Sequence, residues 1–498
     1  MKRTLLMFLL VNLILSACAP VSAPTSTPAP SATPLPTATT APTSTPAPTS
    51  TPTATPTATP TPIPTIQVGN LSVPDPRVTN PELFDLRNPD APIPQFVNAM
   101  KGIGITVDPN QVSSELAKNY QVRQSADGKT FVLTTYTVKG DNDARYSIGF
   151  IAEQGERGEW IWRNLDISKA FALYGKEISV RAEAGWGNST LRSGVEEGLR
   201  YFNDWVITNT GEKVTYHPEN PEVLNPHGLY YADLFINKSP SNGRIIGGHL
   251  LWTYSGPPDK PTLPSYLINA TAENLVKYTH KHVELVMKYF YDKHPNKKYD
   301  WTVAAEITSG NLFRTKNVPL NLEQPENSYL IQAYRIADNI IKNYGRQRGL
   351  SGDRLAYSDF ITGLNDPHIP QIINILKALK HESLIDVFHL QIRYGPNLNP
   401  NRPLTAEELS GLIDRISGET GVPVMITELG FENAAQPSVT QGFINATRAC
   451  RENPMCLGIQ FDKVLPEKPN ENELFSFENG HARPDADYYA VLSAMIGL

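Results

Sequence analysis

The chain has 498 residues, 40% of them apolar, with 44 Lys plus Arg against 50 Asp plus Glu and a formal net charge of -6. That length exceeds one small domain, and the apolar content is enough for a large packed core, which excludes global disorder. A mildly acidic balance offers no field for a polyanion, so no nucleic-acid partner is expected; 3 cysteines are too few for a zinc ribbon or a disulfide-built scaffold.

Residues 1–18 read as a targeting segment. Lys2 and Arg3 give a positive start, and residues 5–15 are an apolar run too short to span a membrane comfortably but long enough for a signal h-region. The run ends in Leu15-Ser16-Ala17-Cys18, which resembles the lipobox of bacterial lipoproteins and implies cleavage before Cys18 and lipidation of its sulfur. At roughly 0.8 kcal/mol per buried CH₂, several acyl chains anchor a protein firmly. Ordinary secretion with an incidental cysteine is the alternative. Both readings put the rest of the chain outside the cytoplasm; the first makes it a bacterial cell-surface lipoprotein with the membrane as a partner. Residues 19–66 are almost entirely Thr, Pro, Ala and Ser, with 14 of the 43 prolines and no charge. Such a stretch favours extended, polyproline-like spacing and reads as a disordered tether.

Residues 67–165 predict a small β-rich module. A short helix is expected near 91–100. Phe131-Val132-Leu133-Thr134-Thr135-Tyr136-Thr137-Val138 is β-branched and aromatic behind an Asp127-Gly128 turn, and 146–152 is a second such run. Trp160 and Trp162 alternate on one strand face, where core packing competes with stacking on sugar rings.

From 166 to 498 short strands alternate with amphipathic helices. Strands are expected at 245–252, 301–307, 355–361, 385–394, 422–429 and 459–461. Helices are expected at 271–292 and at 329–344, the latter stopped by Gly345, and after the capping box of Thr405 and Glu408. This alternation predicts an α/β fold, a (β/α)₈ TIM barrel preceded by the β-rich module and the linker. No Gly-rich phosphate loop follows any strand, which weakens a doubly wound sheet.

Barrel chemistry sits at the carboxyl ends of the strands. Two single acids end apolar strands there: Glu306 in Trp301-Thr302-Val303-Ala304-Ala305-Glu306, and Glu428 in Val424-Met425-Ile426-Thr427-Glu428. A carboxylate in such a place is costly unless solvated or paired. Two facing carboxylates, one protonated and one ionised, are what glycosidic bond cleavage needs, although each acid taken alone also fits a rim salt bridge. Cys450 and Cys456 bracket a short loop that an oxidising compartment permits to close, with two free thiols as the alternative.

Here the chain resembles the family-10 glycoside hydrolases, mainly endo-β-1,4-xylanases. Asp300 through Glu306 resembles the segment ending in that family's acid/base, and Pro423-Val424-Met425-Ile426-Thr427-Glu428-Leu429 its nucleophile strand. Gly247-Gly248-His249-Leu250-Leu251-Trp252, Tyr230-Tyr231-Ala232-Asp233, Thr210-Gly211-Glu212-Lys213 and Leu390-Gln391-Ile392-Arg393 are weaker matches in the right order. The resemblance implies a retaining mechanism with Glu428 as nucleophile, Glu306 as acid/base, and no metal or other cofactor. It places Glu212, His249, Trp252 and Gln391 on the donor side of the sugar, with Lys213 and Arg393 beside them and Tyr254 and Tyr394 as weaker candidates for stacking platforms, and implies a Cys450–Cys456 disulfide. A polysaccharide such as xylan is the expected partner and a monomer the expected state.

Five departures stand out. Ala305 replaces an Asn that would bond the sugar 2-hydroxyl. Arg393 replaces a His and would keep Glu428 ionised. Lys213 replaces an Asn. His249 lies one residue closer to Trp252 than the pattern, which on a regular strand would turn it to the other face. No Trp stands on the last strand, where Gln460, Phe461 and Asp462 lie. The alternatives to a xylan hydrolase are a non-catalytic carbohydrate-binding lipoprotein on a decayed barrel and a barrel hydrolase of another β-glycoside.

Overall fold

Eight parallel strands carry the barrel: β7 (Glu177–Arg181), β8 (Asp204–Ile207), β9 (Arg244–Gly247), β10 (Lys298–Ala305), β11 (Arg354–Phe360), β12 (Val387–Tyr394), β13 (Val424–Glu432) and β14 (Cys456–Phe461). Each pairs with its chain neighbour, and β14 pairs with β7, so the sheet closes as a (β/α)₈ TIM barrel. In this computed structural model the described residues are 62–182, 189–208, 215–252, 263–309, 311–348, 352–394, 402–432, 438–466 and 471–498.

The strand period of two sorts the barrel interior into layers. Glu177, Asp204, Arg244 and Arg354 open β7, β8, β9 and β11 and form a charged floor with Asp300 of β10. Two residues on, Val206, Ile246 and Ala356 pack with Val387 and Met425 as an apolar layer. Two more residues on, Arg181, Thr208, Gly248 and Ser358 line a cavity at the mouth. The odd positions of β10 face outward instead: Tyr299 and Trp301 stack 4.9 Å apart, and the Trp301 indole donates to Tyr291 Oη on the helix Ala272–Lys293.

Most expected elements form near their expected bounds, including Ala272–Lys293, the capping box of Thr405 and Glu408, and a helix Pro92–Gly102. The helix expected to stop at Gly345 runs through it, Tyr329–Arg348; an interior glycine costs only about 1 kcal/mol, which a helix packed on a barrel absorbs. Strands β7 and β8 were not expected. They are five and four residues long, and each opens on a floor acid, Glu177 or Asp204; β7 ends in Arg181 of the mouth layer, and β8 ends in buried Ile207, one residue before Thr208 of that layer.

Ahead of the barrel, β1 (Thr65–Val68) and β2 (Leu71–Pro74) form a hairpin, and β3 (Tyr120–Gln124), β4 (Thr130–Lys139), β5 (Arg145–Gln154) and β6 (Trp160–Asn164) form an antiparallel sheet. The expected end of the stalk at 66 falls inside β1. The sheet and the helix Pro92–Gly102 pack on the last barrel helix, Ala486–Met495: Ser147 Oγ of β5 lies 3.0 Å from Ser493 Oγ, and Phe96 of the helix meets Tyr489 edge-to-face at 4.9 Å. Residues 62–498 are one compact unit with a continuous apolar core. Trp162 is buried in that core, its indole donating to Pro74 O at 2.8 Å, and Trp160 packs half-buried against it, so this pair serves packing. A Cys450–Cys456 disulfide ties the helix Ser438–Glu452 to the start of β14.

Candidate active site

Glu306 and Glu428 face one cavity of about 250 Å³ at the carboxyl ends of the strands. Regular strands alone do not bring them there. Along β13, Thr427 and Glu428 both line the cavity although they are adjacent in sequence, and strict alternation would send one of them outward. The strand carries an extra residue here: from Thr427 to Gly430 it advances three residues while β12 advances two, from Gln391 to Arg393. Glu428 takes up the excess in the left-handed region, at φ 52. Strand β10 has its own bulge between Thr302 and Ala304, and Glu306, the next residue after the strand, sits at φ 53. Left-handed backbone in a non-glycine residue costs on the order of 1 kcal/mol or more and persists only where surrounding structure fixes it. For Glu306 those fixings are visible. Its N–H donates to Ser358 O at 2.9 Å, and its carbonyl accepts from Ser309 Oγ at 2.9 Å and Asn311 Nδ2 at 3.3 Å. Thr308 Oγ1 donates to the buried Asp359 at 2.9 Å and anchors the next stretch.

A third irregularity answers the question raised by His249. Between Gly247 and Leu251 the chain advances four residues while β10 advances three, from Trp301 to Ala304. The extra residue cancels the expected reversal, so His249 and Trp252 both line the cavity, their rings edge-to-face at 6.0 Å. Gly248 permits it: a Cβ there would collide with the Thr208 carbonyl.

The two carboxyls sit in different electrostatic settings. Burial pushes the Glu306 pKa above the ordinary glutamate range, and the charges of Glu428 and Asp359 push the same way; His249 and the hydrogen bond from Trp252 Nε1, 3.1 Å from Oε2, oppose them. Glu428 Oε2 instead lies 2.7 Å from Arg393 Nη2. Burial lowers the His249 pKa; the charges of Glu428 and Glu306 oppose the effect, and Arg393 and Arg181 add to it.

Of the expected site residues, Glu306, Glu428, His249, Trp252 and Arg393 line the cavity together. Gln391 lies just behind the wall, buried, donating to Ser358 Oγ at 3.1 Å. Tyr394 does not reach the cavity. Arg393 faces inward, so its neighbour faces outward, where the Tyr394 ring stacks on Phe431 at 4.8 Å and its hydroxyl accepts from Leu404 N at 3.3 Å. Glu212, Lys213, Tyr254 and Cys18 lie outside the described residues. Two charged wall residues went unnamed as site candidates, Arg181 and Asp462. Each follows or ends a short apolar strand, as Glu306 does; a search restricted to acids passes over Arg181, and Asp462 lies one residue beyond the strand expected at 459–461.

Solved structures of similar fold include a GH10 xylanase from Bispora sp. MEY-1 with xylobiose, at 18% identity and TM-score 0.51, covering 66% of this chain and 100% of that one. Native xylanase 10B from Thermotoga maritima matches at 18% identity and TM-score 0.51 over 67% of this chain and 98% of its own. The Penicillium canescens endo-1,4-beta-xylanase XylE matches at 16% identity and TM-score 0.51 over the same shares. No protein-family model matches the chain. At these identities the likeness carries the barrel fold.

Proposed function

We propose that the protein is a retaining, endo-acting glycoside hydrolase that cleaves β-1,4-xylan or a related plant polysaccharide by double displacement. The observation that carries the reading is one cavity holding two carboxyls of opposite character, Glu306 buried toward its acid form and Glu428 set against a guanidinium. In the first step the Glu428 carboxylate attacks the anomeric carbon. The bond to the leaving sugar breaks, and the Glu306 proton passes to the departing oxygen. In the second step Glu306, now ionised, takes a proton from water as the water oxygen displaces Glu428 from the anomeric carbon, which restores both groups.

The charges of the cavity support a neutral substrate. Arg181 and Arg393 offset Glu428 and Asp462, while burial works against a charge on either Glu306 or His249. Xylobiose in the similar Bispora enzyme points the same way. Glu212, Lys213, His249, Trp252 and Gln391 belong to the donor side in this reading. Ala305 offers no group to the sugar 2-hydroxyl, so a transition-state contact is missing and the turnover expected is slower than that of an enzyme that has it. Export, lipidation at Cys18 and the tether of 19–66 belong to the same proposal, since a polymer too large to enter a cell must be cut outside it.

The test is hydrolysis of xylan followed by NMR of the first-formed anomer. Release of β-configured reducing ends, lost in Glu428→Ala, is the expected result. Product of inverted configuration removes double displacement. Wild-type protein that binds xylan without cutting it, or that cuts glucan, mannan or galactan in preference, replaces this reading with one of its two rivals.

A further inference from the structure

Four consecutive strands, β12, β13, β14 and β7 in sheet order, each bring one charged side chain to the mouth. These are Arg393, Glu428, Asp462 (the residue after β14) and Arg181. Two carboxylates on adjacent strands are thus flanked by two guanidinium groups. Arg393 reaches across: its Nη2 lies 2.7 Å from Glu428 Oε2 and 3.3 Å from Asp462 Oδ1. Arg181 Nη2 approaches the same Asp462 oxygen from the other side, at 3.2 Å. The Asp462 side chain is only 8% exposed, where a carboxylate without partners would be costly. Its backbone is tied to the nucleophile strand, the Asp462 N–H donating to Leu429 O at 3.1 Å. Gly430 keeps the strands close, since a Cβ there would come within 3.2 Å of Asp462 Cβ.

We infer that Asp462, backed by Arg181, is a positioning residue for Glu428: it takes a share of Arg393 and so fixes where the nucleophilic carboxylate sits and how tightly it is held. The inference rests on the glycosidase reading above. A carboxylate clamped by a whole guanidinium is a poorer nucleophile than one that shares it, because the attacking oxygen must give up that bond as it moves to carbon. Neutralising Asp462 removes the carboxylate that competes with Glu428 for Arg393. Removing Arg181 does the reverse, since Asp462 then draws Arg393 toward itself and faces Glu428 with less compensation. The other titratable groups facing Glu428 are His249 after β9, Glu306 after β10 and His389 on β12; Arg181→Met also removes one of the charges that lower the His249 pKa.

The test compares Asp462→Asn and Arg181→Met with wild type in two measurements. The first is the rate of covalent labelling of Glu428 by 2,4-dinitrophenyl 2-deoxy-2-fluoro-β-xylobioside, whose leaving group needs no acid. The second is the acid limb of kcat/KM, followed with an aryl β-xylobioside. Misplacing a reacting group costs on the order of 100-fold, so labelling of Asp462→Asn slows by about that factor. Its acid limb moves to lower pH, and that of Arg181→Met moves to higher pH, each by roughly one unit. Opposite limb shifts follow from the two charges alone; a merely structural ion pair leaves the labelling rate above the limb, where the nucleophile is fully ionised, at its wild-type value. Labelling at the wild-type rate, or limbs that stay put or move together, overturns the inference. If Asp462→Asn fails to fold, the labelling rate of Arg181→Met above its acid limb decides alone, and a wild-type rate overturns the inference. Wild-type protein that is neither labelled nor active fails the glycosidase reading itself and takes the inference with it.

Discussion

The barrel holds charge at both ends, and the two clusters are built on different terms. At the floor, Arg354 is 2.6 Å from Asp300 through Nε and bonds it again through Nη2, while its other edge meets Glu177 at 3.0 and 2.6 Å; Arg244 adds a contact to Asp300 at 3.0 Å. Asp300 is wholly buried, and the pairs close on one another. At the mouth the same residue types surround an open cavity, and the acid of greatest interest, Glu306, accepts a hydrogen bond from an indole and has its pKa raised rather than lowered. Charge met by charge in tight geometry fixes a structure. Charge held beside empty volume, on backbone in the left-handed region, is placed for something that arrives later.

If that contrast is right, substitutions at the two ends fail in different currencies. Glu428→Ala is expected to lower kcat/KM on xylan by on the order of 10⁴-fold or more, with the unfolding transition little changed. Glu306→Ala is expected to lose about as much on xylan but much less on an aryl glycoside with a good leaving group, because the proton is then not needed. Steady-state kinetics on both substrates, beside urea unfolding, checks the pair. A large stability loss in Glu428→Ala would break the comparison at its functional end.

Asp300→Ala should show the opposite. It leaves Arg244 with the Gly352 carbonyl in place of a carboxylate and takes one of two acid partners from Arg354, and removing one partner of a buried pair costs about 3–5 kcal/mol. The expected outcome is a clear fall in the urea midpoint, with turnover near wild type at temperatures where the variant stays folded. Loss of turnover without loss of stability would place function at the floor.

Asp204 sharpens the comparison, since it is a floor residue whose pairing is incomplete. It accepts from Arg244 N at 2.7 Å, yet burial, helped by the nearby charges of Glu177 and Asp300, raises its pKa to about 6. An acid whose folded pKa is raised contributes stability below its unfolded value, near 3.9, and that stability is lost as the pH climbs through about 6. Asp204→Asn keeps the acceptor and removes the titration. It should be about 2 kcal/mol more stable than wild type at pH 8, with no gain below pH 4, by urea unfolding at both values.

The sequence carried the barrel and the acid pair because both rest on local signals. The amphipathic period of 272–293, the capping box at Thr405 and a lone glutamate at each strand end can each be read within about twenty residues. What it did not carry depends on how strands meet. The three extra residues, after Gly247, at Val303 and at Glu428, exist only relative to a partner strand, so neither the inward turn of Glu428 nor the inward placement of His249 follows from spacing. Regular alternation suggests the wrong face for both. Tyr394 illustrates the converse: with Arg393 inward, simple alternation places it outside, so the ring expected as a stacking platform packs on Phe431 instead. Arg181 and Asp462 were hidden because their meaning lies in a four-strand sequence of charges around the rim.

The smallest expected effect tests whether the mouth is tuned as well as open. Trp252 Nε1 donates to Glu306 Oε2 at 3.1 Å, a bond that favours the ionised form and pulls against the burial that raises the pKa. Trp252→Phe keeps an aromatic ring beside His249 but deletes the donor. The acid form of Glu306 then persists to higher pH, and the alkaline limb of kcat/KM should move up by less than about one unit, equivalent to under about 1.4 kcal/mol. The rate at the optimum falls less than it does for either catalytic substitution. A limb that moves down instead would mean that Trp252 stabilises the proton on Glu306. The indole would then be part of what keeps the acid an acid, and the division between a floor that binds charge and a mouth that withholds compensation would have to be redrawn at that one bond.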